Sequence, residues 1–411
     1  MSLSVAIVVE SLHTRGGVER RTSELVKGLL GAGHRVHIYA NRWDADLALD
    51  VEFHHVPMVR LTRALKASSF AWFCGRMVRG YDLVHTQARI DRYDLATLGV
   101  GCHRAYMDAM GIDPEPVSPL PSPPRNGEGV ARGSAVTPSP LRGGLGRGET
   151  VAGRDKAFHR ATLRIEQSMF TPGNYRHIIT NSAMCKRELG QYYDVPADGI
   201  TVVHNGVDHD TFSPSVRAER RKEARIALGL SPDDMAVLYV GTGFDRKGLD
   251  TLITSLGMLK PRNARLVIVG RGDVERFGRL AAHCGVGDRL IWAGKSDDVA
   301  RYYAAADVFA LPTRYDPFAN STMEALASGV PTVTTRSNGV SEILRDGSDA
   351  FVTDADDPAA LADRLCLLIE DSDLRERIGE AGCRASEPFT WERTTQETLA
   401  VYEKLTCQPS P

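Results

Sequence analysis

Asp316 and Glu324 stand on either side of what reads as a helix start, with Phe318, Ala319, Asn320, Ser321 and Thr322 between them and cap candidates at Asn320, Ser321 and Thr322. A helix start offers unpaired backbone N–H groups and the positive end of its dipole, so it can seat a phosphate. An ionised carboxylate accepts from two neighbouring hydroxyls at once, which suits a ribose or a hexose. The pattern therefore fits a diphosphate on the helix mouth with a sugar on each side. The competing reading is an ordinary helix cap followed by a solvated Glu.

A second stretch carries complementary charge. Gly241-Thr242-Gly243-Phe244-Asp245-Arg246-Lys247-Gly248 follows the strand-like Val237-Leu238-Tyr239-Val240. Arg246 stands where a dinucleotide fingerprint would place its third glycine. The turn instead aims a guanidinium and an ammonium at a diphosphate leaving group, unless it is merely a solvated turn. With these bases supplying charge, no divalent cation is required, so no metal site or cofactor is expected. Asp297-Asp298 reads as a helix start, where acids are favoured. In the first half, Gly16-Gly17 would let backbone approach phosphates that a side chain would obstruct, a plain tight turn being the alternative.

These motifs resemble those of the retaining GT-B nucleotide-sugar glycosyltransferases of group 1. In that family an acid, seven residues and a Glu precede a small-residue helix ending Gly-x-Pro, here Asp316, Glu324 and Gly329-Val330-Pro331. The resemblance implies that Asp316 touches the donor sugar, that Glu324 holds the ribose, and that Arg246 and Lys247 clamp the phosphates. Asp316 departs from the commoner Glu, which shortens its reach. Gly16-Gly17 with Glu19 is similar to the family's Gly-Gly-x-Glu. The segment from Val84 to Tyr106 resembles the lipopolysaccharide core glucosyltransferase I group, implying an acceptor-side carboxylate at Asp94, with Arg89 and His103 as weaker acceptor-side nominations. The implied reaction is metal-independent transfer of a hexose, glucose from UDP-glucose first among the candidates, to a lipopolysaccharide-core or related surface glycan. Other hexosyl or N-acetylhexosaminyl transferases remain open. A nicotinamide-dependent oxidoreductase is disfavoured because neither glycine turn completes the fingerprint, and a non-catalytic nucleotide-sugar binder because the acids and bases are intact.

The elements that must position these residues are α/β units. Apolar runs such as Val5-Ala6-Ile7-Val8-Val9, Val36-His37-Ile38-Tyr39 and Leu266-Val267-Ile268-Val269 read as strands buried in parallel sheets, separated by helical segments. They divide into two Rossmann-like domains facing a central cleft, 1–205 on the acceptor side and 206–385 on the nucleotide-sugar side. A closing helix within 386–411 returns to the first domain, as the resemblance implies. Residues 113–153 are Pro- and Gly-rich without an aromatic residue, and read as a disordered insertion.

With 411 residues, 42% hydrophobic and 25% charged, the chain has the composition of a globular protein of two to three domains. A net charge of −2 excludes a nucleic-acid-like field. The halves differ: residues 1–205 hold 25 bases against 20 acids and residues 206–411 hold 25 against 32, suggesting an anionic acceptor for the first half. Seven scattered cysteines without a CxxC pair, no membrane-spanning run and no basic leader before Val5 point to the cytoplasm. Arg60, Arg63, Lys66, Phe70, Trp72, Phe73, Arg76 and Arg79 interleave bases with aromatics, which fits peripheral contact with an anionic membrane face as well as an ordinary helix with core aromatics.

Overall fold

The computed structural model describes residues 2–13, 17–44, 47, 49–113, 151–261 and 263–407, the side chains of 17–19 and 151–155 excepted. The first domain runs β1 (Ser4–Val8), β2 (Ser11–Leu12), α1 (Gly17–Gly31), β3 (Arg35–Ala40), β4 (Arg42–Trp43), β5 (Glu52–His55), α2 (Arg63–Met77), β6 (Leu83–Thr86), β7 (Leu95–Leu98), α3 (His103–Ala109), α4 (Val151–Met169), β8 (His177–Thr180), α5 (Ala183–Tyr193) and β9 (Ile200–Val202). The second runs α6 (Pro214–Ala227), β10 (Met235–Val240), α7 (Leu249–Met258), β11 (Ala264–Val269), α8 (Val274–His283), β12 (Leu290–Gly294), α9 (Ala300–Ala305), β13 (Val308–Leu311), α10 (Asn320–Ala327), β14 (Thr332–Thr335), β15 (Phe351–Thr353), α11 (Pro358–Glu370) and α12 (Ser372–Ser386). Helix α13 (Trp391–Thr406) closes the described chain.

Both main sheets are parallel, ordered β5-β3-β1-β6-β7-β8-β9 and β12-β11-β10-β13-β14-β15. In each, the chain winds outward from a central strand and then returns to that strand's other side. The reversals fall between β1 and β6 and between β10 and β13. Loops leaving neighbouring strands on opposite sides of such a reversal part from each other and open a crevice at the strands' C-terminal ends. The central strands have the apolar, β-branched residues this burial needs: Val5, Ala6, Ile7, Val8, Val237, Leu238 and Tyr239 are all essentially inaccessible.

Helix α13 does cross back. Val401, Tyr402 and Leu405 join the core formed with Leu25, Val26 and Leu29 of α1. The Tyr402 hydroxyl lies 2.7 Å from Nδ1 of His85 on β6, whose Nε2 lies 2.8 Å from the Thr97 hydroxyl. Burial, assisted by nearby Arg21, lowers the His85 pKa to about 3, so it serves as a neutral core hydrogen-bonding group. The outgoing and returning crossings touch: Val207 N–H donates to the Phe389 carbonyl at 3.0 Å. A Cβ on Gly206 would fall 2.3 Å from the Trp391 nitrogen, so only glycine fits.

Two differences from expectation stand out. Strand β7 was not foreseen, because Leu95–Leu98 is short and lies inside the stretch read as an acceptor motif. Helix α4 begins at Val151, so residues 151–153 belong to it and not to the expected insertion, whose remainder, 114–150, lies outside the described residues. In α2, Phe70 and Cys74 are buried, whereas Trp72 is 50% exposed beneath the Arg76 guanidinium, 3.6 Å from the ring centre. No helix among the described residues is long and apolar enough to cross a membrane.

Candidate active site

The two reversals face each other across one crevice with two connected parts of about 430 Å³ each, sharing Val240, Gly241, Thr242, Val299, Asn320 and Glu324. Arg246, Lys247, Asp316, Phe318, Ala319 and Ser321 line one part, opposite Arg21, Gln87, Gly99 and Asn205 of the first domain. The other part runs from Arg20 to Gly270, Lys295 and Asp297. The second domain thus brings both acids, both bases and the helix mouth into one place.

The bases are fixed by an acid. Oδ2 of buried Asp316 accepts from the Arg246 guanidinium at 2.9 Å and from Nζ of Lys247, while Arg246 also donates to the Tyr315 carbonyl at 2.8 Å. Burial alone would raise the Asp316 pKa, but Lys247 and Arg246 outweigh it and hold the carboxyl below its ordinary range. Its other oxygen accepts from Phe318 N–H at 3.3 Å. Two bases share one acid, so the cluster carries a surplus of positive charge next to the crevice. The turn that presents them ends at Gly248, which has φ +70°, and a Cβ there would come within 1.9 Å of the Pro312 carbonyl oxygen.

Helix α10 is capped at Ala319, with no side-chain cap, in place of the expected Asn320, Ser321 or Thr322. Asn338, from beyond β14, organises its start: Oδ1 accepts from Ala319 N–H at 3.2 Å and Nδ2 donates to the Thr322 hydroxyl at 3.0 Å. Thr322 is therefore a buried support and not a wall of the crevice. Asn320 and Ser321 remain at the wall, where a first turn without a side-chain cap presents donors to an anion. Glu324 also lines the crevice, receiving a 2.8 Å hydrogen bond from the Tyr303 hydroxyl. Burial raises its pKa, a shift that this bond and nearby Arg20 and Lys247 only partly offset.

The first-domain nominations fare differently. Asp94 precedes β7, and in a parallel sheet that is the edge opposite the crevice. Its carboxylate accepts from Val84 N–H at 2.8 Å and lies 3.8 Å from Arg176. The acceptor-side assignment of Asp94 is thus corrected: it pins the start of β6. Arg89 donates to buried Glu166 at 2.8 Å, and the His103 backbone N–H donates to the same carboxylate at 3.0 Å. The His103 ring lies 2.9 Å from His159, and burial followed by Arg89 lowers its pKa to about 3. Both residues form a buried network and neither lines the crevice. Gly17 opens α1, while Gly16 and the Glu19 side chain lie outside the described part. The side chains that do line the first-domain wall, those of Arg20, Arg21, Gln87 and Asn205, were not singled out. Arg20 and Arg21 directly follow the Gly-Gly-x-Glu pattern, which was the available signal.

Residues 220–384 match the family model described as glycosyl transferases group 1, and residues 15–100 and 137–211 match that of glycosyltransferase family 4. The latter match skips 101–136, overlapping the expected insertion. The fold is that of GT-B glycosyltransferases, and the second-domain stretch is similar to the group 1 glycosyl transferases. An uncharacterized glycosyltransferase of Methanocaldococcus jannaschii is 29% identical over 55% of this chain and 59% of its own. The D-inositol 3-phosphate glycosyltransferase of Xylanimonas cellulosilytica is 34% identical over 53% of this chain and 54% of its own. The matched region thus spans little more than half the length of these relatives. Among solved structures, WaaG, a glycosyltransferase involved in lipopolysaccharide biosynthesis, shares the fold with TM-score 0.76 and 18% identity, over 97% of this chain and 99% of that one. Anabaena HepE in complex with UDP-glucose does so with TM-score 0.69 and 18% identity, over 98% and 100%.

Proposed function

We propose that this chain is a retaining, metal-independent hexosyltransferase that takes its sugar from a UDP-sugar, UDP-glucose first, and places it on a lipopolysaccharide-core or related anionic surface glycan. The observation carrying this reading is the joint placement of two fixed bases, a helix mouth free of side-chain caps and Glu324 in one crevice between the domains. The diphosphate sits against Asn320 and Ser321 with Arg246 and Lys247 beside it, and the ribose hydroxyls bind Glu324. The bond from the anomeric carbon to the diphosphate oxygen breaks, its electron pair leaving with the nucleotide. The acceptor hydroxyl attacks the oxocarbenium-like centre from the same face and its proton passes to the departing phosphate oxygen. Fixed charge and dipoles lower the barrier without reorganisation. Asp316 acts chiefly by holding both bases in place.

A protein of the same fold is known with UDP-glucose, which supports a donor of that kind. A screen of UDP-, GDP- and ADP-sugars for donor hydrolysis, with and without chelator, tests the reading. Turnover of UDP-sugars in chelator is the expected result; turnover only with added Mg²⁺ or only of another nucleotide rejects it. A second reading, transfer to a phosphorylated cyclitol, is favoured by relatives named D-inositol 3-phosphate glycosyltransferases and is scored by adding that acceptor to the screen. Exposed Leu61, Leu65 and Trp72 with Arg76 support peripheral membrane contact. Flotation with anionic liposomes should weaken in Trp72→Ala with Arg63→Glu, and equal flotation ends that idea.

A further inference from the structure

We propose that His37, Glu52 and His54 form a binding site for a divalent transition metal of the zinc type on the outer edge of the first sheet, apart from the crevice. The site follows from strand register. β3 and β5 pair in parallel with His37 opposite Glu52, and alternation puts His54 on the same face as Glu52. His37 Nδ1 lies 3.2 Å from His54 Nε2 and 3.4 Å from a Glu52 carboxylate oxygen, and the last two atoms are 3.9 Å apart. Tetrahedral zinc with bonds of about 2.0–2.2 Å needs donor atoms spaced roughly 3.3–3.6 Å apart, so small side-chain adjustments bring all three to bonding distance. Two imidazoles and a carboxylate are a donor set suited to zinc, with the fourth position left to water.

The rings are held where the metal needs them. His54 stacks on Tyr39 with centroids 4.5 Å apart, the Tyr39 hydroxyl lies 2.8 Å from that of Tyr81, and the Tyr81 ring sits 5.0 Å from His37. The ligand side chains are 19%, 73% and 31% exposed for His37, Glu52 and His54, which leaves an entry path. β5 is the outermost strand and pairs only with β3 within its sheet, so an ion bridging the two would pin a strand that has one neighbour. The reversal that faces the crevice lies on the other side of β1, so the ion takes no part in group transfer.

The test uses the untagged full chain, stripped with chelator and titrated with Zn²⁺ by calorimetry, and with Co²⁺ by absorption. One equivalent of Zn²⁺ should bind and raise the melting temperature. Co²⁺ should give visible ligand-field bands without a thiolate charge-transfer band. His37→Gln and His54→Gln should each weaken Zn²⁺ binding by about a hundredfold or more. Glu52→Gln, at an exposed position where folding is insensitive, should weaken it by about tenfold or more. Unchanged binding in Glu52→Gln, a thiolate band showing the ion on cysteines, or no binding by the parent chain each overturns the proposal. Chelation should leave UDP-sugar hydrolysis unchanged, so failure of this site and failure of the proposed transfer reaction are separately visible.

Discussion

The two walls of the crevice are built differently. In the second domain the base cluster and helix mouth come from two short contiguous stretches, residues 241–248 and 313–324, cross-linked by Asp316 and braced by Asn338, with Gly270 and residues 295–300 completing the wall. In the first domain it is assembled from Arg20 and Arg21 on α1, Gln87 after β6, Gly99 after β7 and Asn205 after β9. The rigid wall suits a constant chemical task, neutralising a diphosphate. Under the proposed function, the dispersed wall can vary residue by residue, as recognition of an acceptor requires.

This contrast predicts where substitutions hurt. Arg246→Ala should lower turnover on the order of a hundredfold by removing charge at the leaving group. Steady-state kinetics at saturating donor check this, and near-parental turnover would remove the rigid wall from the chemistry. Next in size is the seam between the walls, where the Tyr315 hydroxyl donates to Glu188 at 2.8 Å and accepts from Cys102 N–H at 3.0 Å. Burial, only partly offset by Tyr315, pushes the Glu188 pKa up to about 7. The folded chain therefore holds this proton more tightly than the unfolded one, and stability drains away as pH rises from the ordinary Glu range through about 7. Glu188→Gln should then stabilise the protein by about 1–2 kcal/mol at pH 8, allowing for partial exposure, and by almost nothing at pH 4. Melting curves at both values decide, and an equal gain at both would refute the titration.

Glu324→Gln should raise the KM for the UDP-sugar by roughly tenfold while leaving the acceptor KM alone, since the amide offers one neutral accepting oxygen to the ribose hydroxyls where the carboxylate offers two charged ones. A change confined to the acceptor KM would reverse the roles of the two walls. The smallest effect belongs to Gln87, whose buried Nε2 has no hydrogen-bond partner among the described residues although the residue lines the crevice. Gln87→Leu should raise the acceptor KM by a few-fold, about the worth of one neutral hydrogen bond, and leave UDP affinity unchanged. Calorimetry with UDP alongside acceptor titration separates the two.

The same contrast explains what could be read from the residues. The gathering of Asp316, Glu324, Arg246 and Lys247 into one place was legible because a turn and a helix start are local structures, written within a few positions of each other. Both domains were legible for a similar reason, since buried parallel strands announce themselves as apolar runs. Asp94 was misread because its role depends on which end of β7 it occupies, and that follows from strand direction and not from neighbours in sequence. Arg89 and His103 were drawn together by Glu166, a residue beyond the Pro- and Gly-rich segment that nothing local connects to them. Asn338 reaches the mouth of α10 only because β14 pairs with β13. Gln87 and Asn205, which follow β6 and β9, likewise come to line one crevice only once the first sheet has formed.

The paired backbone crossings at Gly206–Val207 and Phe389–Trp391 carry a mechanical consequence. A single tether would let one domain swivel freely on the other, whereas two tethers bonded side by side define a pivot. Gaping of the cleft about that pivot would break the bonds from Tyr315 to Glu188 and Cys102, and torsion would have to pull the tethers apart as well. The doubled tether thereby fixes which face of one domain the bases of the other look onto.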